Sequence, residues 1–177
     1  MTPEVQARCE AALLRWEGNP NYWYRDREGC SIGVGLDAFT KQDAARFGPG
    51  AVDAWELIIP MRPDMSLAQY AIACSWRADP TLLKHLFEQK IASDEAALRA
   101  QLPAWDTYRA EAQIALIDLA WQDGPDLTGW PHMRSAILAG DWTTAAAESA
   151  TSIEKGGSLL RNAARRDLLA SCAQIAV

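Results

Sequence analysis

The spacing of hydrophobic positions changes period along the chain. Val5, Cys9, Ala12, Leu13 and Trp16 recur at helical intervals. Thr2-Pro3-Glu4 supplies a capping hydroxyl, a proline at the first helical position and an acid in the first turn. Gly18-Asn19-Pro20 stops the pattern. A helix is therefore predicted up to Glu17, with that carboxylate at its end, beside the apolar stripe. Tyr22, Trp23 and Tyr24 favour a strand, and Asp26-Arg27-Glu28-Gly29 reads as a turn. After it the period becomes two. Cys30, Ile32, Val34 and Leu36 alternate with Ser31, Gly33, Gly35 and Asp37, as on the two faces of one strand. One face suits a core. The other is nearly bare of side chains, which marks close approach by a ligand or another backbone.

Residues 38–65 hold Gly48-Pro49-Gly50 and further prolines, predicting loops with one or two short helices. From Ser66 the pattern is helical to the end. The predicted segments are 66–78, 81–91, 93–102, 106–122, 131–139, 143–152 and 158–173. Ser66, Ser93, Asp106 and Asp141 stand at N-cap positions, and Gly140 follows a helix end. Residues 114–121 are apolar nearly all round, as expected of a central buried helix. The expected architecture is α+β, mostly α, in one domain spanning 1–177. A helix, small sheet and loops occupy 1–65, a helical lobe occupies 66–177, and a cleft is expected where sheet meets helices.

Composition narrows the function. The 177 residues are 49 % hydrophobic, enough to fold without disulfides or metal. The net charge of −6 argues against capture of nucleic acid or an anionic membrane. No apolar run reaches the length of a membrane span. The N-terminus lacks the basic and apolar regions of a signal peptide, so synthesis in the cytoplasm is expected. The arginines of 161–166 have helical spacing and read as a solvated helix face. Cys9, Cys30, Cys74 and Cys172 form no CxxC pair, and His85 and His132 are far apart. Neither a zinc site nor any other cofactor is expected, and the cysteines read as four buried thiols, although an even count also permits disulfides.

The opening stretch carries the candidate chemistry. Two carboxylates flanking a cleft are the apparatus of glycoside hydrolysis. One stays protonated and gives its proton to the leaving oxygen; the other stays ionised. Glu17, against Leu13 and Trp16, is placed to be the acid. Asp26, in a polar turn with Arg25 and Arg27, is placed to be the carboxylate. The Ser31 hydroxyl points to the bare strand face, where it would hold a water or a sugar. On spacing alone, Glu17 fits a local cap and Asp26 a simple turn equally well. Trp16, Trp121 and Trp142 fall on apolar stripes and are read as core; Trp23 is the tryptophan expected in the cleft. Gly33, Gly35 and Gln122 complete the candidate substrate contacts.

Glu17-Gly18, Tyr24-Arg25-Asp26, Gly29 and Ser31-Ile32-Gly33-Val34-Gly35 resemble the phage-type lysozymes (muramidases). The wording Ser-Ile-Gly-Val-Gly-Leu-Asp is similar to the pesticin-type branch found in bacteriocins and secreted antibacterial effectors. "QIALIDLAWQDG", "GWPHMRSAILAGDWTTAAAES" and "LLRNAARRDLL" resemble later stretches of the same family, in the same order. The resemblance implies a lysozyme-like fold. It also implies hydrolysis of the peptidoglycan bond between N-acetylmuramic acid and N-acetylglucosamine. Glu17 would be the general acid, Asp26 the second carboxylate, and Ser31, where the family has Thr, the group that positions water. The interval from Gly29 to Ser31 is one residue shorter than in phage lysozymes. That leaves Glu28 and Asp37 open as alternatives to Asp26.

The implied setting is the periplasm or cell wall of a target or host cell. The chain would serve there as an injected antibacterial effector or a phage endolysin. Its partners would be glycan strands and, for a toxin, an immunity protein that plugs the cleft. A monomer without stable membrane insertion is expected. The rival reading is a lysozyme-fold module that binds glycan or a partner protein without cutting.

Overall fold

The structure, a computed structural model, describes residues 1–25, 29–152 and 158–174. It is α+β and mostly helical, with one small antiparallel sheet. The chain forms two compact units, one of residues 1–16 with 90–177, the other of residues 17–89. The sheet's unit thus runs on past the 65/66 boundary that the sequence suggested.

Helix α1 (Pro3–Glu17) begins as its sequence requires, with Thr2 Oγ1 accepting from the Val5 amide at 3.3 Å. Gly18 follows with φ 70°, a left-handed conformation that ends helices cheaply only at glycine. The unit of residues 17–89 then builds its sheet from β1 (Tyr24–Arg25), β2 (Cys30–Ile32) and β3 (Leu36–Ala38), in that order. Two short helices follow, α2 (Lys41–Ala45) and α3 (Ala51–Ile58), where loops with one or two short helices were expected. A capping box of Ser66 and Gln69 starts α4 (Leu67–Ala73). That helix stops five residues short of the expected end. Cys74 is extended at ψ 102°, and the Arg77 guanidinium donates to the Ala71, Cys74 and Trp76 carbonyls at the helix end.

The strand expected over 30–37 is instead a hairpin. Gly33 and Gly35 have φ 62° and 70°, so the chain reverses between Ile32 and Leu36. The alternation survives because the two strands face each other in register, Cys30 with Ala38, Ser31 with Asp37 and Ile32 with Leu36. Cys30, Ile32, Leu36 and Ala38 remain on the buried side. The "bare" positions are turn glycines.

Helix α5 (Pro80–Gln101) is one helix where two were predicted. No glycine or internal proline interrupts it, and a serine at position 93 cannot break a run of good helix formers by itself. The unit of residues 1–16 and 90–177 is centred on α6 (Ala110–Asp123), in which every residue from 112 to 121 is buried. Asp106 does not cap this helix; it pairs with Arg99, and Arg109 stands at the N-cap. Helix α9 (Leu159–Ser171) packs on α6 and on α8 (Trp142–Ala147), which in turn packs on α7 (Pro131–Leu138). Asp141 caps α8 as predicted, Ser158 caps α9, and Gly140 has φ 73° after α7. Helix α8 ends at Ala147, short of the expected 152. Trp142 packs edge-on against Tyr108 at 5.1 Å. All four cysteines are buried free thiols.

Arg161 and Arg165 of α9 overturn their predicted role as a solvated face, while Arg166 is exposed as expected. Arg161 and Arg165 are buried and share Asp118 of α6. A guanidinium at helical spacing reads as surface in sequence, but here each meets a carboxylate on the facing helix.

Candidate active site

Glu17, the last residue of α1, is half-buried and falls in the same compact unit as the sheet. The segment that leaves it is pinned to the hairpin turn. The Gly33 amide donates to the Pro20 carbonyl at 2.7 Å, and Asn19 Oδ1 lies 3.5 Å from where a Gly33 Cβ would stand. Pro20 is three residues from Glu17, a reach of at most about 11 Å, and Gly33 is two from Ser31, at most about 7 Å. The backbone therefore ties the segment that follows Glu17 to the turn that follows Ser31.

Ser31 sits on the central strand, 2 % exposed, with its hydroxyl donating to Asp37 Oδ1 at 2.7 Å. Asp37 itself is exposed, directly opposite on β3. Arg46, which follows α2, donates from Nη2 to the Asp37 backbone carbonyl at 3.4 Å. Ser31 and Asp37 thus form one hydrogen-bonded pair. Sequence reasoning treated Asp37 only as an alternative carboxylate. Read as one strand, positions 31 and 37 would lie about 20 Å apart. The Gly-x-Gly spacing between them was the signal for a hairpin.

Asp26, the expected second carboxylate, lies outside the described residues, as does Glu28. Strands β1 and β2 pair on either side of that stretch, Tyr24 with Ser31 and Arg25 with Cys30.

Two expected substrate contacts, Trp23 and Gly33, are buried away from any ligand. Trp23 is 0 % exposed; its indole N–H donates to the Ala51 carbonyl at 2.9 Å. It stacks on Trp76 at 6.0 Å and meets the edge of Phe47 at 4.8 Å, so it is core and offers no face to a sugar. Gly33 is buried in the turn, and its amide serves the Pro20 carbonyl. The amide oxygen of Gln122 accepts from Arg165 Nη2 at 2.6 Å, which ties it to the buried ion cluster. Gly35 is partly exposed at the turn.

The chain matches no protein-family model, and no curated protein is significantly similar to it.

Proposed function

We propose that the chain is a peptidoglycan muramidase, hydrolysing the β-1,4 bond between N-acetylmuramic acid and N-acetylglucosamine. The observation that carries this reading is the Pro20–Gly33 hydrogen bond, which couples the helix end bearing Glu17 to the hairpin bearing Ser31. An acid at a helix end and a second carboxylate can serve the two faces of a glycosidic bond. Glu17 protonates the leaving oxygen. Ser31 holds the attacking water. Asp26 is the second carboxylate, and it stabilises the cationic transition state or activates that water.

The net charge of −6 disfavours adsorption to anionic wall polymers, which suits an injected antibacterial effector better than a free lysin. Such a toxin needs an immunity protein in its producer.

The test is incubation of purified peptidoglycan with the wild type and with Glu17→Gln, followed by analysis of muropeptides with new reducing ends. Release by the wild type and near-silence from the variant is expected. Release by both removes Glu17 from the mechanism. Silence from both moves the chain to a binding module.

A further inference from the structure

Phe39 is 55 % exposed, and no other aromatic side chain among the described residues is exposed. Its ring is seated on a glycine. A Cβ built on Gly29 would stand 3.0 Å from Phe39 Cδ1 and 3.3 Å from Cε1, so the ring has room there only because residue 29 lacks a side chain. Gly29 immediately precedes β2 and Phe39 immediately follows β3. The pair thus extends the Ser31–Asp37 and Cys30–Ala38 register by one step, and alternation puts it on the face of Ser31 and Asp37. Gly29 is also three residues from Asp26, the proposed second carboxylate.

The backbone around Phe39 is fixed on both sides. The Ala38 carbonyl accepts from the Trp55 indole at 2.9 Å. The Thr40 amide and hydroxyl both donate to Asp43 Oδ2, at 3.0 and 2.8 Å, in the capping box of α2. A ring that only covered Gly29 would gain most by being buried itself; here a rigid backbone holds more than half of the residue in water. Its exposed neighbours in the chain, Asp37, Thr40 and Lys41, are polar. Another protein's apolar face needs a contiguous apolar patch, which a lone ring among polar side chains does not offer. A sugar ring needs less: it has an apolar face of C–H groups and a rim of hydroxyls.

We propose that Phe39 is a substrate-binding residue, on whose exposed ring the apolar face of one pyranose of the glycan strand stacks. The negative face of the aromatic ring attracts the polarised C–H groups, and a ring already held in place loses little freedom on binding. The proposal rests on the muramidase reading above and moves the stacking role expected of Trp23 to a residue that solvent reaches.

The test is calorimetric titration of solubilised glycan strands into Glu17→Gln protein carrying Phe39, Phe39→Leu or Phe39→Trp. Leucine still covers Gly29 but has no flat face; tryptophan restores one. Phe39→Leu should weaken binding about tenfold, the worth of burying roughly half a phenylalanine side chain. Phe39→Trp should bind at least as tightly as Phe39. With Glu17 present, Phe39→Leu should raise KM by the same factor and leave kcat nearly unchanged. Urea midpoints of all the proteins separate these effects from stability.

Equal affinity of the Phe39 and Phe39→Leu proteins would overturn the proposal. So would a loss shared by Phe39→Trp, or one that tracks a lowered midpoint, since Phe39 would then serve packing alone. A wild type that binds strands without cutting them overturns the muramidase reading and leaves the platform standing. A wild type that neither binds nor cuts overturns both.

Discussion

Arg165, 1 % exposed, donates from Nε to Asp118 Oδ2 at 2.9 Å. Its other nitrogens reach the Ser149 carbonyl at 3.1 Å and Gln122 Oε1 at 2.6 Å, and Arg161 donates to Asp118 Oδ1 at 2.9 Å. One carboxylate on α6 therefore holds two guanidiniums of α9. Burial pulls the Arg165 pKa below its ordinary value, and the Asp118 charge opposes that pull. Removing the carboxylate leaves two buried cations facing each other. Asp118→Asn should destabilise the protein by about 3–5 kcal/mol. Asp64→Asn, at a fully exposed pair with Arg62, should leave the urea midpoint where it is. A loss at Asp118 no larger than at Asp64 would show that the cluster does not hold α9.

The same cluster shows where sequence reading reaches its limit. The helices around α6 were legible because periodic apolar positions and caps act locally: Asp141 and Gly140 mark termini from sequence alone. The burial of residues 114–121 was legible for the same reason. Arg161 and Arg165 were not, since the carboxylate that neutralises them is more than forty residues away in sequence. The site was half legible. Glu17 at a helix end and Ser31 on a strand follow from period changes, but the hairpin at 33–35 was hidden by an alternation that a strand and a hairpin share.

Trp23 separates packing from sugar binding. It is enclosed by Trp76, Phe47 and the Ala51 carbonyl, so truncation opens a cavity and strands an acceptor. Trp23→Ala should cost about 3–5 kcal/mol of stability, read from urea unfolding. Trp23→Phe keeps most of the ring volume and should cost less while leaving muropeptide release near wild type. A stable Trp23→Ala protein that has lost glycan affinity would restore the sugar-stacking role.

Gly33 tests the hairpin turn. A Cβ there would meet Asn19 Oδ1 at 3.5 Å and Leu83 at 3.6 Å, ordinary contact distances. Space is therefore not the obstacle; φ of 62° is. Gly33→Ala should destabilise by about 1–2 kcal/mol, the left-handed penalty of an L-residue. Should the turn shift to relieve that strain, the Pro20–Gly33 hydrogen bond would lengthen, and hydrogen exchange at the residue 33 amide would accelerate. An unchanged midpoint with unchanged exchange would mean that the turn tolerates a side chain.

Glu95 should leave its mark on acid stability. It accepts from the Met1 ammonium, from Arg99 Nε at 2.8 Å and from the Trp105 indole at 3.2 Å. Burial pushes its pKa up, but the hydrogen bonds and charges of its two cationic partners pull it below the ordinary 4.5. The folded state therefore takes up the proton less readily than the unfolded chain. Its contribution is fully present above 4.5 and is lost as pH falls through the lowered folded value. Other carboxylates held low, such as Glu111 and Asp141, add their own acid slopes to any variant. The difference between wild type and Glu95→Gln isolates this one group. Urea midpoints of the two should lie apart at neutral pH and converge in acid, with the wild type falling more steeply. Parallel curves would show that Glu95 carries no folded-state charge preference, and that its cations serve other partners.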